Sequence, residues 1–174
     1  MIVTIGGPPG SGKTTVARML AEKLKLELVI IGELFRAQAR EQGQTLGEFG
    51  ETAAKDHSID LSIDKRTVEL ARKGDMILEG RLAGVMMRTH KIPSFKIWLE
   101  ASLEERARRI AEREHEDPKD IVERIRGREQ CERERYRAIY DIEYDNREIY
   151  DLVIDTSNIA PDEILALILD HLKV

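Results

Sequence analysis

The 174 residues carry 28 Lys and Arg against 33 Asp and Glu, a net charge of −5, with 41% hydrophobic residues. That length suits one domain with its own core, and the acidic balance argues against a generic nucleic-acid-binding surface. The one cysteine, Cys131, has no internal disulfide partner, and no apolar run approaches the roughly 18 residues a membrane span needs, so a cytoplasmic monomer without membrane or nucleic-acid partners is expected.

In chain order, apolar runs at Ile2 to Ile5, Leu28 to Ile31, Met76 to Leu78, Phe95 to Leu99 and Leu152 to Ile154 read as strands. Because they are unbroken rather than alternating, they predict a sheet covered on both faces. Helical patterns lie between them. The first starts at Lys13 and places Val16, Leu20 and Leu24 on one face. About three helices fill the stretch from residue 33 to Gly74, with Ser58 as a candidate cap for the last. A helix from Leu103 to about Arg113 is broken by "EHEDPKD", and Pro118 opens another that continues toward Tyr144. The last helix follows Pro161 and carries Ile164, Leu167, Ile168 and Leu172. The order predicts an α/β fold: three α/β/α layers around a five-stranded parallel sheet of strand order 2-3-1-4-5.

Between the first strand and first helix stands Gly7-Pro8-Pro9-Gly10-Ser11-Gly12-Lys13-Thr14, a G-x-x-x-x-G-K-T phosphate-binding loop, or P-loop. Its backbone N–H groups and the helix N-terminus suit phosphate oxygens. Lys13 suits the β- and γ-phosphates, Thr14 a Mg²⁺ ion, and Thr15 the region of the α-phosphate. Glu79, ending the third strand, sits where a carboxylate can hold the magnesium's water shell. The four histidines show no metal-ligand spacing.

Eleven of the eighteen arginines fall between Arg106 and Arg147, interleaved with Glu. Most fit a solvated helix face with pairs such as Glu105–Arg109 and Glu129–Arg133. Arg109 and Arg113, however, share a face before the polar break, and Arg128 and Arg135 lie two turns apart after it. Together they suggest a flap that closes over phosphates. Arg36 and Arg81 follow the second and third strands, where ligands of open α/β sheets bind, and suggest an acceptor that already carries phosphate.

At these residues the chain resembles the nucleoside monophosphate kinases, and most closely the short archaeal-type cytidylate kinases. The resemblance runs nearly end to end through "GGPPGSGKTTVARMLAEKL", "GELFR", "ILEGRLAG", "KIWLEASLEERARRIAERE", "IRGREQCERERYRAIYDIEY" and "DLVIDTSN". It implies phosphoryl transfer from ATP, with Mg²⁺, to CMP and dCMP. It also implies a single kinase domain whose core comprises 1–31, 75–113 and 128–174, with an acceptor-binding helical insertion at 32–74 and a lid at about 114–127.

Carried over by position, the loop from Gly7 to Thr15 holds ATP, with Arg109 and Arg113 on the lid side and Ser157 and Asn158 beside adenine. Arg36, Arg81, Arg128 and Arg135 surround the acceptor phosphate, and Lys13, Arg81, Arg128 and Arg135 are the expected catalytic set. The Asp that follows the third-strand arginine in bacterial cytidylate kinases is replaced by Leu82, and their larger insert is missing. Asp60, Asp64 and Arg66 are therefore the candidates for reading cytosine, whose amino group a carboxylate can accept. Another small-molecule P-loop kinase, such as an adenylate or shikimate kinase, and a nucleotide-dependent regulatory binder are the alternatives. Shikimate carries no phosphate for the acceptor arginines, and no guanine-reading N-K-x-D tetrapeptide occurs.

Overall fold

The computed structural model describes residues 1–173. Strands β1 (Ile2–Gly6), β2 (Glu27–Ile30), β3 (Met76–Glu79), β4 (Phe95–Glu100) and β5 (Leu152–Asp155) form one parallel sheet in the order β2-β3-β1-β4-β5. Helices α1 (Lys13–Leu24), α2 (Ile31–Glu41), α3 (Leu46–Lys55), α4 (Ser58–Ala71), α5 (Ala83–Thr89), α6 (Leu103–Glu114), α7 (Pro118–Tyr140) and α8 (Pro161–Leu172) connect and cover it.

Alternation along β1 sorts the two cores. Val3 and Ile5 face Val16 and Leu20 of α1 and Ile164 and Ile168 of α8, whereas Ile2 joins Met76, Leu78 and Trp98 under α4, α5 and the tyrosines 136, 144 and 150. Both faces are therefore covered, which is why the strands read as continuous apolar runs. Parallel pairing with β3 on one side and β4 on the other places β1 at the centre, so the loop after it opens at the middle of the sheet's carboxyl edge.

Several local expectations are corrected. Ile31 opens α2 rather than closing β2. Ser58 does not cap α4: the N-cap is His57, and the Ser58 amide donates to Asp56 Oδ1 at 3.0 Å, so the preceding aspartate supplies the acceptor. Leu167 is 42% exposed because α8 packs through Ile164 and Ile168, which lie one turn apart on its inner face. Helix α7 stops at Tyr140, where Asp141 turns left-handed. It runs without a break through Gly127, as expected. Helices α6 and α7 form a hairpin with a small core of its own, built from Ala107, Ile110, Ala111, Ile121 and Ile125.

Candidate active site

The loop between β1 and α1 is held in a conformation that needs glycine. Gly7 and Gly10 have φ of +149° and +81°, and a Cβ on Gly7 would lie 2.1 Å from the Leu99 carbonyl oxygen. Neighbouring elements then fix the loop from outside. Arg109 donates from Nη1 to the Gly10 carbonyl at 3.4 Å and to Thr156 Oγ1 at 3.0 Å. The Thr156 hydroxyl also lies 3.0 Å from the Ser11 carbonyl. Buried Arg106 donates to the Pro9 carbonyl at 3.3 Å and to Glu129 Oε1 at 2.6 Å.

Lys13 projects from the first turn of α1 and donates from Nζ to the Pro8 carbonyl at 2.8 Å. Burial pushes its pKa down to about 7; Glu79 opposes that shift, while Arg81, Arg128 and Arg106 add to it. Those three guanidinium groups are thus within electrostatic reach of the loop lysine. Thr14 Oγ1 donates to Glu79 Oε2 at 3.0 Å, so hydroxyl and carboxylate meet at the strand end. Two hard oxygen groups side by side beside a phosphate loop suit Mg²⁺.

Arginines from three elements gather beyond the sheet edge. Arg81 follows β3 and pairs with the buried carboxylate of Glu132, which also accepts from Arg128 Nε at 3.0 Å. Arg128 is 49% exposed; partial desolvation, then the fields of Arg81, Arg36 and Arg135, lowers its pKa to about 10, with Tyr136 opposing. Arg81 is shifted down as well, first by burial. Arg36, on α2, is exposed and lies 3.9 Å from Glu33. Arg81 and Arg128 thus share Glu132, while Arg135 pairs with Asp60 and Arg36 stays at the exposed rim.

Arg135 reaches α4, where its Nε lies 2.9 Å from Asp60 Oδ2, and its guanidinium sits over Phe35 at 5.5 Å and Tyr136 at 5.2 Å. Asp64, one turn on from Asp60, is buried, and its Oδ2 finds no hydrogen-bond partner among the described residues. Burial first and Asp60 second push its pKa up to about 7, against Arg135. Arg66 is exposed, so it does not share the inner face of α4 with the two aspartates.

A cleft of about 360 Å³ beside the loop is lined by Gly12, Thr15, Arg108, Arg109, Ser157 and Asn158 among others. The Ser157 hydroxyl is committed, donating to Asp155 Oδ1 at 2.6 Å and accepting from the Ser102 amide at 2.9 Å. Arg113 is 69% exposed and pairs with Glu114, so it stands apart from this cleft while Arg108 lines it. The expected Glu129–Arg133 pair is also corrected. Glu129 goes to Arg106, and Arg133 goes to Asp145 at 2.9 Å, because Glu129 faces the α6 side of the hairpin. Arg106 and Thr156 were not foreseen. Arg106 carried no signal beyond its place in the arginine-rich stretch, and Thr156 stood unmarked beside Ser157.

A family model described as the cytidylate kinase-like family matches residues 2–158. Among curated proteins, a cytidylate kinase of Methanocaldococcus jannaschii is 45% identical over 177 residues, covering 99% of each chain. Those of Methanococcus vannielii, 47% identical across 90% of this chain and 91% of the relative, and Methanopyrus kandleri, 43% identical across 97% and 91%, are similar too. Among solved structures, an uncharacterised protein of Eubacterium ventriosum superposes with a TM-score of 0.74 at 19% identity, covering 99% of this chain and 98% of that one. A shikimate kinase of Bacteroides thetaiotaomicron gives 0.66 at 15% identity, covering 100% and 99%. These structural likenesses establish the fold.

Proposed function

Because the chain belongs to the cytidylate kinase-like family, we propose that it transfers the γ-phosphoryl group of ATP to the phosphate of CMP, and of dCMP, giving the diphosphate. The observation that carries this reading is the adjacency of two cationic centres. Arg81 and Arg128 share Glu132 and act on Lys13 of the loop, while Arg106, on the same helix hairpin as Arg128, donates to Glu129 and to the Pro9 carbonyl of that loop. One centre suits the phosphates of a donor and the other a phosphate-bearing acceptor.

The acceptor oxygen is anionic near pH 7, so no general base is required. Catalysis rests on in-line positioning and on cations that meet the charge spread over the transferring group. Lys13 and the loop amides hold the donor phosphates. Arg81, Arg128 and Arg135, with Arg36 at the rim, orient the acceptor. Thr14, directly, and Glu79, through water, would hold Mg²⁺, which would supply positive charge against the phosphates. Ser157 and Asn158, which line the cleft beside the loop, would hold adenine mainly through their backbone. The inner face of α4, with Asp60 and Asp64, is the proposed reader of the cytosine amino group, and Arg66 lies at its edge. Residues 32–74 act as the acceptor arm and about 114–127 as the lid.

A coupled ADP-release assay offering CMP, dCMP, UMP, AMP and shikimate with Mg²⁺ and ATP tests this. CMP or dCMP is expected to support the highest kcat/KM, and faster turnover with AMP or UMP would refute the assignment. Lys13→Ala is expected to reduce turnover by at least about 10²-fold, the scale of losing a key electrostatic donor.

A further inference from the structure

The segment Arg128-Glu129-Gln130-Cys131-Glu132-Arg133-Glu134-Arg135-Tyr136 places glutamates among the acceptor arginines, and the reaction above assigns two of them, Glu129 and Glu132, no part. Each is taken by an arginine from another element. Glu132, buried, pairs with Arg81 beyond β3 while accepting from Arg128. Glu129 accepts from Arg106 Nη1 at 2.6 Å, and the same nitrogen lies 3.3 Å from the Pro9 carbonyl of the phosphate loop. Arg106 Nε is fixed in turn on the Ala101 carbonyl at 3.1 Å.

Electrostatics gives the reason for this arrangement. Arg81 and Arg128 meet on one carboxylate, and Arg81, Arg128 and Arg106 all act on Lys13; crowded cations without counter-charge would turn toward solvent. A carboxylate fixed on a rigid helix holds a guanidinium in a set direction through charge-assisted hydrogen bonds.

We propose that Glu129 and Glu132 are positioning residues with divided duties: Glu129 holds Arg106 against the donor loop, and Glu132 holds Arg81 and Arg128 toward the acceptor phosphate. Helix α7 thereby sets the geometry of both halves of the site from one face. The assignment rests on the kinase reading, which turnover by the unaltered protein tests separately.

The experiment measures KM for ATP and for CMP independently in Glu129→Gln and Glu132→Gln, which keep the side-chain shape and remove the charge. Glu129→Gln is expected to raise the KM of ATP about five- to tenfold with the KM of CMP within about twofold, and Glu132→Gln to do the reverse. A role confined to stability would lower the active fraction and leave both KM values in place, and that result overturns the proposal. An equal rise in both constants in each variant overturns it as well. Should Glu132→Gln fail to fold, Glu132→Asp, which keeps the charge but withdraws it by one methylene, is read by the same split.

Discussion

The Lys13 ammonium is expected to make ATP binding proton-linked. With a pKa of about 7 in the free protein, the side chain is about nine-tenths neutral at pH 8 and about nine-tenths charged at pH 6. A triphosphate placed against Nζ favours the charged form, so binding raises the pKa. The sign follows: binding at pH 8 draws in about 0.9 proton, and binding at pH 6 only about 0.1 from this group, so affinity falls as pH rises above 7. At pH 8 the terminal phosphate is fully ionised and contributes nothing. Titration calorimetry at pH 8 in buffers of different ionisation enthalpy measures the uptake directly. Lys13→Arg, charged at every accessible pH, is expected to abolish it. Uptake below about 0.3 proton in the unaltered protein, or equal uptake in Lys13→Arg, would refute the reasoning.

Arg81→Ala is expected to raise the KM of CMP by at least about tenfold while the ATP dissociation constant stays within about twofold, and an equal loss of ATP affinity would move Arg81 to the donor side. Asp64 has a folded pKa of about 7, above its unfolded value, so the folded chain binds the extra proton and stability falls as pH rises from about 4 to 7. Asp64→Asn is therefore expected to stabilise the protein by about 2–4 kcal/mol at pH 8 and little at pH 4; chemical denaturation giving the same gain at both would contradict this. Gly127 lies inside α7, and a methyl added there meets nothing within 4 Å among the described residues. Gly127→Ala is accordingly expected to raise the melting temperature by about 2–4 °C, from about 1 kcal/mol of helix propensity.

The sequence by itself determined the sheet and the P-loop, because both depend on local chemistry. Strands buried on both faces must be apolar throughout, as Ile2 to Ile5 and Phe95 to Leu99 are, and a backbone that wraps a phosphate must have glycine at Gly7, Gly10 and Gly12. Right-handed parallel crossovers then leave few orders for five strands, and 2-3-1-4-5 is the one formed.

The partners of the charged side chains were decided by tertiary packing. Within α7, Glu129 and Arg133 stand four apart and satisfy the helix rule, yet Glu129 lies against Arg106 of α6 and Arg133 against Asp145. Arg109 and Arg113 share a helix face in sequence, but Arg109 is drawn to Thr156 and Gly10 while Arg113, one turn on, is exposed and pairs with Glu114. Helical periodicity fixes which residues lie on one face. It does not say where along that face a second element ends, and that end point decides whether an arginine holds the phosphate loop or meets water.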